Sequence, residues 1–312
     1  MAEHLMEPSV NAQERIKSAN KLISARILRT PSLKIAKDDI GISQQVVLKL
    51  EYLQHSGSFK ARGALHSLMK LDVGVDGVLA ASGGNHGIAV AWAAKELGHA
   101  ANIFVPNITS ESKIKKLEQH GAIIHQTGES YAEAFEASAT FGARRAMTTV
   151  HAYDQVEVLE GAGTIGLELD DQCPEVTTIV VACGGGGLSG GLASWWGKSK
   201  RLIVVETEGT GTYAAAKKLS RPTDIDVSGI AADALGARRI GTRGWEALTS
   251  VDAESVLIRD DDVINAQAVL RKAHGIEVEP AAAVGIAALR SGNVRITERE
   301  NVALVICGAN ST

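Results

Sequence analysis

Cysteine is scarce and scattered. Cys173, Cys183 and Cys307 form no CxxC pair, which excludes a disulfide framework and leaves no zinc-ligand spacing. Aromatic residues make up only 4% of the chain, too few for base-stacking platforms. Neither sign of charge dominates: 32 Lys and Arg stand against 36 Asp and Glu, a net charge of −4. A nucleic-acid-binding face and a basic membrane patch are therefore both disfavoured. No apolar run is long enough to span a membrane. Proline is sparse, and neither a low-complexity tract nor a solenoid repeat is present, so no linker is indicated. The opening residues, MAEHLMEPSVNAQERIKS, are charged and lack an apolar core, unlike a secretory signal; a cytoplasmic location is expected.

What the chain does have is length and aliphatic bulk. Its 312 residues are 45% hydrophobic, mostly Ala, Val, Ile and Leu, enough for one large or two moderate domains. Apolar residues at helical spacing predict a helix over about 10–28, followed by an extended Arg29–Ser32 segment and a strand at Val46–Glu51. Ser58 is placed to cap a helix running to Leu71. Strands at 77–81, 101–105, 122–126 and 146–151 then alternate with helices at 88–97, 110–120 and 130–141. A second alternation has strands at 177–182, 202–206, 256–258 and 302–307. Residues 224–245 read as mostly loop. The order predicts an α/β protein with two parallel-sheet units and right-handed crossovers. The smaller unit, 78–153, is inserted into the larger, 1–77 and 154–312. The segments with unusual composition all follow strands, where ligands of such sheets bind.

The first of these is His55–Ala64, HSGSFKARGA. Lys60 stands among small residues and beside Phe59. That setting suits a lysine reaching a carbonyl carbon, with a flat side chain packed on a ring; it predicts a Schiff-base lysine for pyridoxal phosphate. The other reading is a solvated lysine near a helix start. The second is Gly184-Gly185-Gly186-Gly187-Leu188 between a strand and a helix. Its N–H groups can turn toward one anion, and the helix start favours a phosphate. It lacks the lysine of a P-loop and the acidic partner of a dinucleotide fold. The third, Ser82-Gly83-Gly84-Asn85-His86-Gly87, also opens a helix and suits a carboxylate, or is a capped helix start with His86 structural. Cys307-Gly308-Ala309-Asn310 closes the last strand.

In order and spacing these segments, with GAGTIGLEL and VEPAAAVGIAAL, resemble the fold-type II pyridoxal phosphate enzymes of the serine/threonine dehydratase and serine racemase family. The resemblance covers nearly the whole chain. It implies that Lys60 holds the cofactor, Phe59 packs on its ring, and Gly184, Gly185, Gly186 and Gly187 with Leu188 hold its phosphate. It places Asn85 at the 3′-hydroxyl, Cys307 at the ring nitrogen, and Ser82, Asn85 and His86 around the substrate carboxylate. It implies a small-molecule amino-acid substrate and a homodimer. The reaction implied converts L-threonine or L-serine to a 2-oxo acid and ammonia.

Departures from the family pattern sharpen the expectation. Racemases of the family carry a second serine where this chain has Gly83, which has no proton to give, so elimination is favoured. Glu206 matches a divalent-cation ligand, but the later acidic ligand falls at Thr212, so a cation is possible but weakly supported; Glu208 is a substitute. Arg238 and Arg239 are either surface charges or contacts for a second carboxylate, as in 3-hydroxyaspartate; a bulky substrate such as phenylserine is a further option. The chain stops after the CGAN strand, so the C-terminal regulatory domain of biosynthetic threonine dehydratases, and isoleucine inhibition with it, is not expected. Serine racemase, β-replacement and non-catalytic amino-acid binding are the alternatives.

Overall fold

The computed structural model describes residues 11–310. In chain order the strands are β1 Ser32–Ile35, β2 Val46–Lys49, β3 Val78–Ala81, β4 Ala101–Val105, β5 Ala122–Gln126, β6 Thr148–Thr149, β7 Thr178–Ala182, β8 Arg201–Thr207, β9 Glu254–Ile258 and β10 Val302–Val305. They form a six-stranded sheet, β1-β2-β10-β7-β8-β9, and a four-stranded sheet, β5-β4-β3-β6. All pairings are parallel except β1 with β2. The α/β class and the two parallel sheets are as the alternation predicts. The antiparallel edge strand is not anticipated; only Arg29–Ser32 reads as extended.

The central strands are continuous apolar runs because helices cover both faces. TIVVA of β7 and VALV of β10 are buried at every position. Each fully buried Leu or Ile contributes on the order of 2 kcal/mol. One apolar cluster surrounds the larger sheet, and a second joins the smaller sheet to Ile23, Ala61, Leu65 and Leu68. The helix Lys60–Lys70 thus packs toward the smaller sheet's core. Trp195 and Trp196 are buried, and both indole N–H groups donate to Asp170 at 2.8 Å, so they belong to the core. All three cysteines are free and buried. No helix among the described residues is long and apolar enough to cross a membrane.

Several element boundaries differ from the sequence-based expectation, each for a non-local reason. The first helix is Ala12–Ile23, with Val10 outside the described residues. It stops short of Leu28 because the Gln54 side chain binds both the N–H and the C=O of Leu28. The supposed loop, 224–245, holds a short helix at Ala232–Leu235, and at its end begins another, Thr242–Ser250, whose first N–H groups are bound by the distant Asp154 carboxylate. The helix Thr212–Leu219 is also unanticipated; Glu206 caps it from the end of β8.

A buried charge network fixes the Lys60–Lys70 helix to its surroundings. Arg62, fully buried, donates to both oxygens of Glu51 at 2.8 Å and to Glu168 at 2.7 and 2.9 Å. Lys49 donates to Glu168 at 2.6 Å and to the Thr30 carbonyl at 2.7 Å. Two cations thus meet two carboxylates in a dry interior. Burial opposes the charge on Arg62, but the two carboxylates prevail and hold its pKa above the ordinary value. Removing one partner leaves an uncompensated buried charge. Arg62→Ala should therefore lose about 3–5 kcal/mol of unfolding free energy, read by urea denaturation of the cofactor-free protein. A loss below about 1 kcal/mol, the range of surface pairs, would contradict this role.

Candidate active site

The carboxyl ends of β3, β4, β7 and β10 open on one cavity of about 1180 Å³. Lys60 and Phe59, the Ser82–His86 turn, the Gly184–Leu188 turn and Cys307 all line it. Glu206 does not.

Lys60 is delivered by a short, tightly pinned path. The Phe59 N–H donates to the Cys307 carbonyl at 3.0 Å, and Ser58 bridges to Gly308. Asn310 Nδ2 donates to the Ser56 carbonyl at 2.7 Å. A Cβ on Gly57 would lie 2.7 Å from Asn310 Oδ1, so this close approach requires glycine. Ser58 does not cap the helix; Phe59 holds the cap position with no side-chain bond. Lys60 Nζ donates to the Ala152 carbonyl at 2.9 Å and lies 5.2 Å from the Phe59 ring centroid. Burial lowers its pKa to about 8, against the opposing pull of Glu279.

The glycine turn leads into the helix Gly187–Trp196. Only Gly186 in it has a left-handed backbone, at φ +86°. The others are glycine because neighbours leave no room: a Cβ at Gly184 would meet the Leu235 backbone at 3.0 Å, and one at Gly185 the Tyr153 ring at 2.2 Å. The first N–H groups of a helix have no internal acceptor. Ser189, in the same first turn and on the cavity wall, is buried with its hydroxyl free of any conventional hydrogen bond; the Cys183 thiol beside it is a weak partner. This donor-only cradle fits a phosphate.

At the opposite wall a second turn meets Glu279. Asn85 Nδ2 donates to Glu279 at 2.8 and 3.0 Å, and Asn85 Oδ1 accepts from Asn310 Nδ2 at 2.7 Å. The amide is thereby held in one orientation. Glu279 is buried, which raises its pKa. Ser82 Oγ accepts from the Gly84 N–H at 3.3 Å, which leaves its hydroxyl proton for a ligand. His86 Nε2 donates to the Val150 carbonyl at 2.9 Å, and burial with Lys60 nearby pushes its pKa down to about 3. Its other ring nitrogen can only accept. The His86 ring is thereby engaged, and its backbone N–H at the helix start remains suited to a carboxylate. Burial pushes the Cys307 thiol well above its ordinary pKa, so it stays neutral.

Glu206 stands apart from the cavity. It is fully buried, and its carboxylate accepts from Thr212 Oγ1 at 3.0 Å and from the Tyr213 and Ala214 N–H groups at 2.8 and 2.9 Å. Those bonds occupy it as a helix cap, and among the described residues no group of three or more His, Cys, Asp or Glu is placed to hold a metal ion. Arg238 and Arg239 line the cavity mouth but face Asp226 at 3.7 Å and Asp224 at 2.8 Å. Lys113 reaches across the mouth to Asp233 at 2.5 Å.

Two parts of the site escape the sequence reading. Glu279 had one signal: Pro280 marks a helix start and puts Glu279 at its N-cap. The run His151–Asp154 carries the carbonyl that binds Lys60 and the ring against Gly185, yet nothing in its composition marks it.

Comparison with known proteins gives this cavity its kin. The model of the pyridoxal-phosphate dependent enzymes matches residues 23–308. An L-threonine ammonia-lyase of Thermotoga maritima is 31% identical over 302 residues, covering 95% of this chain and 75% of that protein. The catabolic L-threonine dehydratase TdcB of Staphylococcus aureus is 32% identical over 303 residues, covering 95% and 88%. The structure of maize serine racemase superimposes with a TM-score of 0.90 at 27% identity, covering 97% of this chain and 94% of that one. The lysine amine, the apolar ring beside it and the donor-only phosphate cradle fit pyridoxal phosphate. The chain belongs to the pyridoxal-phosphate dependent enzyme family and is a lyase that uses this cofactor.

Proposed function

We propose that this lyase dehydrates L-threonine or L-serine, releasing the 2-oxo acid and ammonia. The observation that carries the reading is the half-buried Lys60, its amine pKa lowered to about 8, in one cleft with a phosphate cradle and a neutral thiol. Bound pyridoxal phosphate supplies an electron sink for the pair left on Cα. Lys60 anchors it and, once free, accepts the Cα proton as general base. The Gly184–Gly187 turn, with Leu188, would hold the phosphate, Phe59 would pack on the ring, and Asn85 would stand at the ring oxygen. The Ser82 hydroxyl and the helix-start N–H groups of Asn85 and His86 hold the substrate carboxylate. Cys307 would stand at the ring nitrogen as a neutral thiol that leaves it uncharged, a weaker electron sink that favours prompt loss of the β-hydroxyl.

Gly83 supports elimination over racemisation. It has no proton to deliver, and a Cβ there would already lie 3.2 Å from Thr109 Cγ2. The mouth supports a substrate with one carboxylate, because Lys113, Arg238 and Arg239 each face an Asp. We take residues 1–77 with 154–312 and residues 78–153 as two domains of a cytoplasmic homodimer.

Three outcomes are expected. Purified protein should show a cofactor absorption band that Lys60→Ala abolishes, and should form a 2-oxo acid from L-threonine or L-serine; a band without any 2-oxo acid would end the dehydratase reading. From L-serine, pyruvate should form at least about tenfold faster than D-serine, and kcat/KM for L-threonine should exceed that for threo-3-hydroxyaspartate by a similar factor. The third concerns Lys60 in cofactor-free protein. Burial favours its neutral form, so the amine is charged below about pH 8 and free above it. Amine acylation at Lys60, followed by peptide mass spectrometry, should reach half its maximal rate near pH 8. A midpoint at the ordinary lysine value of about 10.4 would show that burial does not tune it.

A further inference from the structure

The run His151–Asp154 leaves β6 and touches three parts of the cavity in four residues. The Ala152 carbonyl accepts from Lys60 Nζ at 2.9 Å. The Asp154 carboxylate accepts from the Thr242 and Arg243 N–H groups, both at 3.0 Å, and so caps the helix Thr242–Ser250. That helix supports the glycine turn: Gly244 Cα lies 3.2 Å from where a Cβ on Gly186 would stand. Between these contacts stands Tyr153. A Cβ on Gly185 would fall 2.2 Å from its Cγ and 2.3 and 2.4 Å from its two Cδ atoms. A Cβ on Gly187 would fall 3.1 Å from both Cα and Cβ of Tyr153. Gly185 is therefore dictated by the Tyr153 ring and Gly187 by the main chain and Cβ of the same residue, in a turn where only Gly186 needs a left-handed backbone.

We propose that Tyr153 is a cofactor-positioning residue, its ring forming the outer wall of the phosphate cradle and fixing residue 185 as glycine. The inference rests on the reading that Gly184–Gly187 hold the phosphate. The ring is held from behind. The Tyr153 and Asp154 N–H groups donate to His151 Nδ1 at 3.2 and 2.8 Å, and the His151 ring meets Tyr153 edge-on at 4.8 Å. The ring and not the hydroxyl makes the contact with Gly185. Truncating the ring opens the cradle to water and frees the turn to leave the geometry in which its N–H groups converge. A methyl on residue 185 pushes the same ring off the same turn.

The test is an equilibrium titration, by absorbance, of cofactor-free protein with pyridoxal phosphate and separately with pyridoxal, which lacks the phosphate. Tyr153→Phe should bind pyridoxal phosphate within about twofold of the parent, and Tyr153→Ala and Gly185→Ala should each bind it at least about tenfold more weakly. Pyridoxal affinity should be unchanged in all three. The double variant should be no weaker than Tyr153→Ala alone, since the added methyl no longer meets a ring. Thermal unfolding of each cofactor-free variant checks the fold. If Tyr153→Ala does not fold, the Gly185→Ala and Tyr153→Phe titrations still decide the matter. Losses that multiply in the double variant, or that fall equally on pyridoxal, would overturn the role of Tyr153 while leaving the cradle in place. Equal affinity of the parent for pyridoxal and pyridoxal phosphate would remove the cradle, and the proposal with it.

Discussion

The site depends first on a charge buried where no water reaches it. Arg62 lies two residues beyond Lys60 in the same helix, with Glu51 on one side and Glu168 on the other. Glu51 follows β2, and Glu168 belongs to the helix Val156–Gln172. The pair of carboxylates therefore ties the Lys60 helix at once to the larger sheet and to the helix layer beneath the glycine turn. Apolar packing alone resists sliding weakly, because one aliphatic contact is much like the next. Ion pairs in a dry interior do not tolerate a shift, because each ångström leaves a charge unpaired. The network thus supplies position, while the aliphatic cores supply most of the free energy.

Given that frame, the chemistry follows from what the cavity withholds. Burial makes the lysine a usable base near neutrality, keeps Cys307 as a thiol, and holds the His86 ring neutral and engaged. The cradle offers backbone donors and a serine hydroxyl in place of a lysine. The reacting end is thereby nearly free of mobile charge, whereas the mouth carries three cations and three acids in facing pairs. Recognition by charge is confined to the rim, and proton transfer to the interior.

The sequence made the larger outline legible because period and punctuation are local. Apolar runs bounded by glycine and proline reveal β7 and β10, and the Lys60, Ser82 and Gly184 segments announce themselves by composition. What it hides is set from a distance. Asp154 caps a helix 88 residues away, so the start of that helix reads as loop. Gln54 ends the first helix by binding Leu28 across 26 residues. Glu206 matches a cation ligand by its place in the sequence, and the helix that it caps is seen only in the fold. The glycines of the phosphate turn can be read as freedom of backbone; their neighbours Tyr153 and Leu235 become visible only when the chain is folded.

One modest feature has a practical side. The scarce cysteines are all buried, two of them lining the cavity, and burial raises the pKa of those two. Alkylating reagents attack thiolates, and attack them where they can reach. The folded chain therefore reacts slowly with such reagents, and each opening event uncovers sulfur that was buried. The molecule carries its own built-in reporter of unfolding, with no label added and no residue changed.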